Sequence, residues 1–492
     1  MMTPDSARLV TALDRSLVEG VSFTQEPAEQ VTLTQAGRIA RLLGHASRRQ
    51  AHHDRDMQGR ALLDRGAALL AQPAAHDLPP APRPEQRFEV AEAARDGIAH
   101  RLDRMMQALA ECEGQAVTEW RDAVFDWECE TLDSLAAPVD SALSHEKPIR
   151  FDCDTLQSYF RRTVAGGENI VVTSARRLSG GYGRATVLIE FAEPVLGERE
   201  LVMRAQLPDA VVVFDGIDIQ AEYQVFSLAH VAGIPAPEPF ILETGDNETG
   251  TKFIVVRKMP GSNYGSVFEA THDLSDQLIH NIVETLANIH RISLSDHHGI
   301  VNACHLAEWA RDRTATDSIR RWLDMWQIFH DELDYPSPLL ARGFRWLYDN
   351  IPQVDAPPSL MHSDYALGNV LIENDRISGV LDWEQTHLGD PAEEVSWLAT
   401  NLRSKVTEET LVRIYGDITG DYVSQERLRF FDVFTAVKIM LCGVSAAAKF
   451  QAKDTLDGLF CELASFTMAP YARLIHETIE RAEVVKKQRS PA

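Results

Sequence analysis

The stretch His362-Ser-Asp364-Tyr-Ala-Leu-Gly-Asn369 sets a carboxylate and a carboxamide five positions apart in one loop that leads into a strand. Asp382 follows one β-hairpin later, in the run Val-Leu-Asp-Trp-Glu. Carboxylates among apolar residues are costly unless they are paired, hydrogen-bonded or bound to a metal. A loop followed by a hairpin can bring the three side chains to one point. Asn369 and Asp382 would then offer two hard oxygen ligands, which suits Mg²⁺, an ion that completes its shell with phosphate oxygens and water. Asp364 would stand beside the metal, placed to accept a proton. Asp and Asn are common in turns for local reasons, and His-x-Asp alone does not separate the two readings. The longer pattern, with Asn five residues on and a hairpin ending in Asp-Trp-Glu, is much more specific.

An aspartate base, an asparagine on the metal and a second aspartate on the metal are the layout of protein kinases. That layout needs further parts earlier in the chain. A glycine-rich turn should let backbone N–H groups approach phosphate, and Ser179-Gly180-Gly181-Tyr182-Gly183 lies between two strand-like runs. A cation should follow on the next strand, where Arg204 stands in Leu-Val-Met-Arg-Ala-Gln. A carboxylate on the helix after it should pair with that cation, and Glu222 is eighteen positions on. The run 253–259, closed by Pro260-Gly261, fits a strand that meets adenine through its backbone and crosses into a second lobe.

The elements that must position these residues can be read from periodicity. Residues 7–18, 39–46 and 90–102 repeat apolar residues at helical spacing, interrupted at 73–84 by five prolines that no helix can carry. From residue 169 the order reads β-hairpin, strand, helix at 219–233, then two strands. Beyond 262 helices dominate, among them 278–292 and the long apolar run 428–450, which reads as a buried bundle helix. The catalytic stretch interrupts them with two short strands joined at Asn374-Asp375.

With these residues in view, positions 150–480 resemble the aminoglycoside phosphotransferase and choline kinase superfamily. The resemblance rests on HSDYALGN at 362–369, on VLDWEQTHLGDPAEEVSWLA at 380–399, and less specifically on LSGGYGRATV, Glu222-Tyr223, VAGIPAPEP and LANIHRI. It is nearest to the branch whose kinase domain is fused to acyl-CoA dehydrogenases. The resemblance implies an α+β, bilobal protein-kinase-like fold. A small β-rich N-lobe at 146–258 would bind nucleotide. A helical C-lobe at 259–485 would hold the catalytic loop, and a helical N-terminal domain at 1–145, of unassigned role, would precede both. It further implies phosphorylation of a small-molecule hydroxyl with ATP or GTP and Mg²⁺. Asp364 is then the base, Asn369 and Asp382 hold the metal, and Gly180, Gly181, Gly183, Arg204 and Glu222 hold the nucleotide. His362 supports the loop, Asp390 fixes the loop or caps the next helix, and Glu384 faces the substrate or serves as an ion-pair partner. Arginine at 204 departs from the usual lysine and cannot make the same compact point contact.

Composition bounds the alternatives. A 25% charged, 45% hydrophobic chain of 492 residues is that of a globular protein with room for two or three domains. A formal net charge of -25 argues against nucleic acid or an anionic membrane as partner. No apolar run is expected to span a bilayer, the first residues lack a signal-peptide pattern, and six scattered cysteines suit a reducing, cytoplasmic setting. The expected partners are nucleotide and a small-molecule hydroxyl compound (a metabolite, a hydroxyacyl compound or an aminoglycoside-like antibiotic). Regulation, homodimer formation and covering of the substrate are roles open to residues 1–145. Two other readings are a nucleotide-binding pseudokinase, favoured only by Arg204, and a protein kinase. The seven residues between Asp382 and Asp390 leave the latter little room for an activation segment.

Overall fold

A computed structural model describes residues 58, 59, 61–63, 65, 102, 105, 106, 115–133, 152–164, 167–178, 184–193, 197–206, 218–245, 247, 249–266, 269–333, 337–451 and 458–489. The glycine-rich turn at 179–183 and nearly all of the helical runs expected at 7–18, 39–46 and 90–102 lie outside the described residues.

In chain order the longer elements begin with α1 (Gln115–Asp133), α2 (Cys153–Thr163), β1 (Val171–Arg177), β2 (Arg184–Glu193), β3 (Gly197–Gln206) and α3 (Ile219–Val231). There follow β4 (Pro239–Glu243), β5 (Phe253–Arg257), α4 (Asp276–His290), α5 (Ala315–Leu333) and α6 (Pro338–Asp349). Then come β6 (Ser359–Met361), β7 (Val370–Glu373), β8 (Arg376–Val380) and β9 (His387–Gly389). The chain closes with α7 (Ala392–Leu402), α8 (Glu408–Thr419), α9 (Gln425–Gln451) and α10 (Gly458–Arg489).

The chain forms two compact units: one comprises Glu146–Trp322 and Ile351–Asp432, the other Met1–His145, Leu323–Asn350 and Val433–Ala492. Leu323–Asn350 and most of Val433–Ala492 fall inside the range 259–485 that the sequence assigns to a C-lobe. In this unit the buried Glu128 of α1 accepts hydrogen bonds from Ser337 Oγ at 2.6 Å and from Leu339 N at 3.0 Å, at the start of α6. Contrary to the sequence expectation, α9 contains a 24-residue span, Gln425–Ala448, long and apolar enough to cross a membrane. Its window is 78% buried inside the protein, as in a core helix.

The first unit contains the candidate site residues of the sequence analysis that the structure describes. Its five-stranded antiparallel sheet has the order β1-β2-β3-β5-β4. Period-2 alternation sorts its side chains. Ala185, Val187, Ile189, Met203, Ala205, Phe253 and Val255 share one face and pack with Leu156, Tyr159 and Phe160 of α2 into a buried core. Even-numbered positions of β2 and β3, Arg184 and Arg204 among them, therefore lie on the opposite face. Asp152 and Asp218 start α2 and α3 by accepting Thr155 N at 2.8 Å and Ala221 N at 2.7 Å, the usual relief for unpaired N-terminal amides.

Beyond the sheet the chain passes through Lys258-Met259-Pro260-Gly261 and is tied at once to the β7–β8 hairpin. Ser262 and Ile372 exchange backbone hydrogen bonds of 3.1 and 2.9 Å, and Ser378 Oγ donates to Pro260 O at 2.6 Å. Gly261 has φ 102, and a Cβ there would stand 2.5 Å from Ser378 Oγ and 2.7 Å from Ile372 O. Gly261→Ala is expected to destabilise this unit by about 3 kcal/mol, from backbone strain together with overpacking. A fall in the urea midpoint at constant slope would show it, and an unchanged midpoint would count against this crossing geometry.

Candidate active site

β6 runs directly into the loop 362–369, and its pairing with β9 (Leu360↔Leu388, Met361↔His387) draws the start of α7 beneath that loop. Ser363 has φ 70, a left-handed conformation that a serine adopts only when its surroundings compel it. The compulsion comes from α7. Glu394 Oε2 accepts His362 N at 3.0 Å and its Oε1 accepts Ser363 N at 2.8 Å. Glu393 accepts Ser363 Oγ at 3.0 Å. Glu394 is wholly buried and also meets His290 Nε2 of α4 at 2.9 Å. Burial would raise its carboxyl, yet the His290 hydrogen bond and the neighbouring His362 outweigh that and hold it below the usual glutamate value.

The loop so held presents Asp364 and Asn369 together. Asn369 Nδ2 donates to Asp364 Oδ2 at 2.8 Å and to Asp364 O at 3.0 Å. That use of the amide nitrogen directs Oδ1 to other donors or to a cation. His362 donates from Nε2 to Leu381 O at 2.7 Å, and its Nδ1 accepts Asp364 N at 3.3 Å. The ring thereby ties the loop to the segment just before Asp382. Asp382 lies two residues past the end of β8, with φ 63, so the loop rather than the strand aims its carboxylate.

Arg204 reaches this loop from β3. Its Nε donates to Glu222 Oε1 on α3, and its Nη2 donates to Asp382 Oδ1 at 2.8 Å, across 178 positions of chain. Glu384 Oε2 is a weaker partner of the same Nη2, at 3.5 Å. Burial acts against the guanidinium charge, but the carboxylates of Glu222, Asp382 and Glu384 outweigh it and hold Arg204 firmly cationic. Burial, then the adjacent Asp382 carboxylate, push the Glu384 carboxyl up to about 8.

Asp390 takes part in none of the bonds just described. It is fully buried, accepts Ala392 N at 3.0 Å at the start of α7, and is held by Arg427, whose Nε lies 3.0 Å from Oδ2. Three residues went unnoticed in the sequence: Arg184, Glu393 and Glu394. Arg184 Nε donates to Glu222 Oε2 at 2.9 Å, so the fully buried Glu222 carries an arginine on each oxygen. Strand parity could have flagged Arg184, because Thr186 pairs with Arg204 and Arg184 is its diagonal neighbour.

With this geometry in place, the model of the phosphotransferase enzyme family matches residues 174–431, more than half of the chain. The chain belongs to the phosphotransferase enzyme family. The matched residues begin in β1 and end beyond Arg427, and they include every residue of the site just described. Among curated proteins the family member is 24% identical over 254 residues to acyl-CoA dehydrogenase family member 11 of Gallus gallus, over 50% of this chain and 31% of that one. It is 23% identical over 272 residues to acyl-CoA dehydrogenase family member 10 of Mus musculus, over 54% and 24% respectively. The chain thus spans about a third of the first of these relatives and about a quarter of the second. Among solved structures, a putative aminoglycoside phosphotransferase from Ralstonia eutropha aligns at TM-score 0.49 and 19% identity, covering 68% of this chain and 99% of that one. A macrolide 2'-phosphotransferase from Brachybacterium faecium aligns at TM-score 0.45 and 16% identity, over 64% and 98%.

Proposed function

We propose that this small-molecule phosphotransferase moves the γ-phosphoryl group of ATP to a hydroxyl of a metabolite, with Asp364 as base. The observation that carries the reading is the 2.8 Å bond between Arg204 and Asp382, which joins the cation of the sheet to the expected metal carboxylate of the helical part. The hydroxyl proton passes to the Asp364 carboxylate as its oxygen forms a bond to the γ-phosphorus. The bond from that phosphorus to the β,γ-bridging oxygen breaks, and ADP departs. Asn369 keeps Asp364 in place through the 2.8 Å bond to Oδ2. Arg204, held by Glu222, neutralises charge on the phosphates. In such transfers positioning and electrostatics supply most of the rate.

The donor set at Asn369 and Asp382 suits Mg²⁺: an amide oxygen not needed within the loop and a carboxylate still 32% exposed. Bound there, the ion would neutralise the phosphate oxygens during transfer. A hydroxyacyl compound is the favoured acceptor, on the strength of the acyl-CoA dehydrogenase relatives.

The test is ADP release by the full chain with Mg²⁺ and ATP across hydroxyacyl-CoAs, free hydroxy acids, choline-like amines, sugars, macrolides and aminoglycosides. Turnover with a hydroxyacyl compound, abolished by EDTA and restored by Mg²⁺, is the expected result. Turnover confined to aminoglycosides would overturn the acceptor class, and failure to bind nucleotide would overturn the whole reading. Asp382→Ala is expected to raise the Mg²⁺ concentration needed for half-maximal rate at least tenfold; an unchanged requirement would remove Asp382 from the metal site.

A further inference from the structure

We propose that Arg184 is a positioning residue for the nucleotide, acting through Glu222 on Arg204; this rests on the nucleotide-dependent reading above. Glu222 has no exposed surface and sits between two guanidinium groups, Arg184 Nε on Oε2 at 2.9 Å and Arg204 Nε on Oε1. Both arginines are themselves largely shielded from solvent, at 5% and 11% exposure. An isolated carboxylate at such a depth is strongly unfavourable. With one partner only, Glu222 would hold that partner to itself, because release would strand a buried charge. With two partners, Arg184 keeps Glu222 paired whatever Arg204 does.

The second partner matters because Arg204 has more than one task. Its Nη2 lies on Asp382 at 2.8 Å and near Glu384 at 3.5 Å. To hold phosphate oxygens, the guanidinium would have to turn from those carboxylates and loosen its hold on Glu222. Arg184 makes that turn inexpensive by holding the far side of Glu222. The placement is structural: Arg184 is the first residue of β2, immediately after the glycine-rich segment 179–183, and lies on the same sheet face as Arg204.

The test compares wild type, Arg184→Lys and Arg184→Met as full chains. The readouts are the Kd of a non-hydrolysable ATP analogue with Mg²⁺, KM for ATP, and kcat at saturating ATP. Arg184→Met is expected to raise KM and Kd at least tenfold while kcat falls much less, and Arg184→Lys to recover most of the loss. In a Glu222→Gln background the Arg184→Met change should add little, because the residue it acts through no longer carries the charge. Unchanged KM and Kd in a folded Arg184→Met protein would overturn the proposal, as would additive effects in the Glu222→Gln background. If Arg184→Met does not fold, Arg184→Gln takes its place, with a KM and Kd no different from wild type counting against the proposal. Failure of the wild type to bind the analogue would instead refute the nucleotide-dependent reading itself.

Discussion

Asp364→Asn is expected to lower kcat by a factor of about 10²–10⁴, the range general-base catalysis supplies, while the Kd for Mg²⁺–ATP shifts little. The asparagine keeps the shape of the loop but cannot take the hydroxyl proton. Its amide can also turn to meet Asn369, whose Nδ2 now donates to Asp364 Oδ2 at 2.8 Å. The stability of the variant should stay near wild type. Rapid-quench measurement of ADP formation beside equilibrium binding separates the two quantities. A variant with wild-type kcat would show that Asp364 is not the base, whatever its neighbours.

The largest loss of stability is expected from Glu394→Ala. One carboxylate accepts His362 N at 3.0 Å, Ser363 N at 2.8 Å and contacts His290 Nε2 at 2.9 Å, all without exposure to water. Truncation strands two backbone donors and a buried imidazole, and removing one partner of such a network costs about 3–5 kcal/mol. It also releases Ser363 from φ 70, so the loop should relax and kcat should fall even where the protein stays folded. Glu394→Gln preserves volume but presents an NH₂ group to one of the amides, and should fall between the two. Urea denaturation with parallel kcat measurements tests this. A midpoint within error of wild type for Glu394→Ala would disprove the anchoring role.

The same carboxylate predicts a pH effect. The folded-state value of Glu394 is lowered from the ordinary 4.5. Its contribution to stability is therefore fully present above the unfolded value and disappears as pH falls through the lower folded value. Wild type should lose stability in that acid window, and Glu394→Gln should lose less. Equal acid slopes for the two proteins would contradict it.

The spacing of residues by itself determined that Asp364 and Asn369 would meet, because they stand five positions apart in a single loop and need no distant contact. It also determined the order of strands and helices around Arg204 and Glu222, since period-2 and helical patterns are local properties. The buried long helix α9 was legible for the same reason, although its length and apolarity alone do not distinguish it from a membrane span. Membership of the phosphotransferase enzyme family followed from the same local motifs.

Tertiary structure decided the rest. β6 and β9 are three residues each, too short to carry a periodic signal, yet their pairing is what brings Glu393 and Glu394 to the loop. In the sequence both glutamates look like ordinary first-turn residues of a helix. Arg184 looks like a charge beside a glycine turn until strand register sets it diagonal to Arg204. The aim of Asp382 depends on a positive φ that no residue type announced. Each of these depends on pairing between segments tens to hundreds of positions apart, and such pairing is set by burial and register rather than by the composition of either segment.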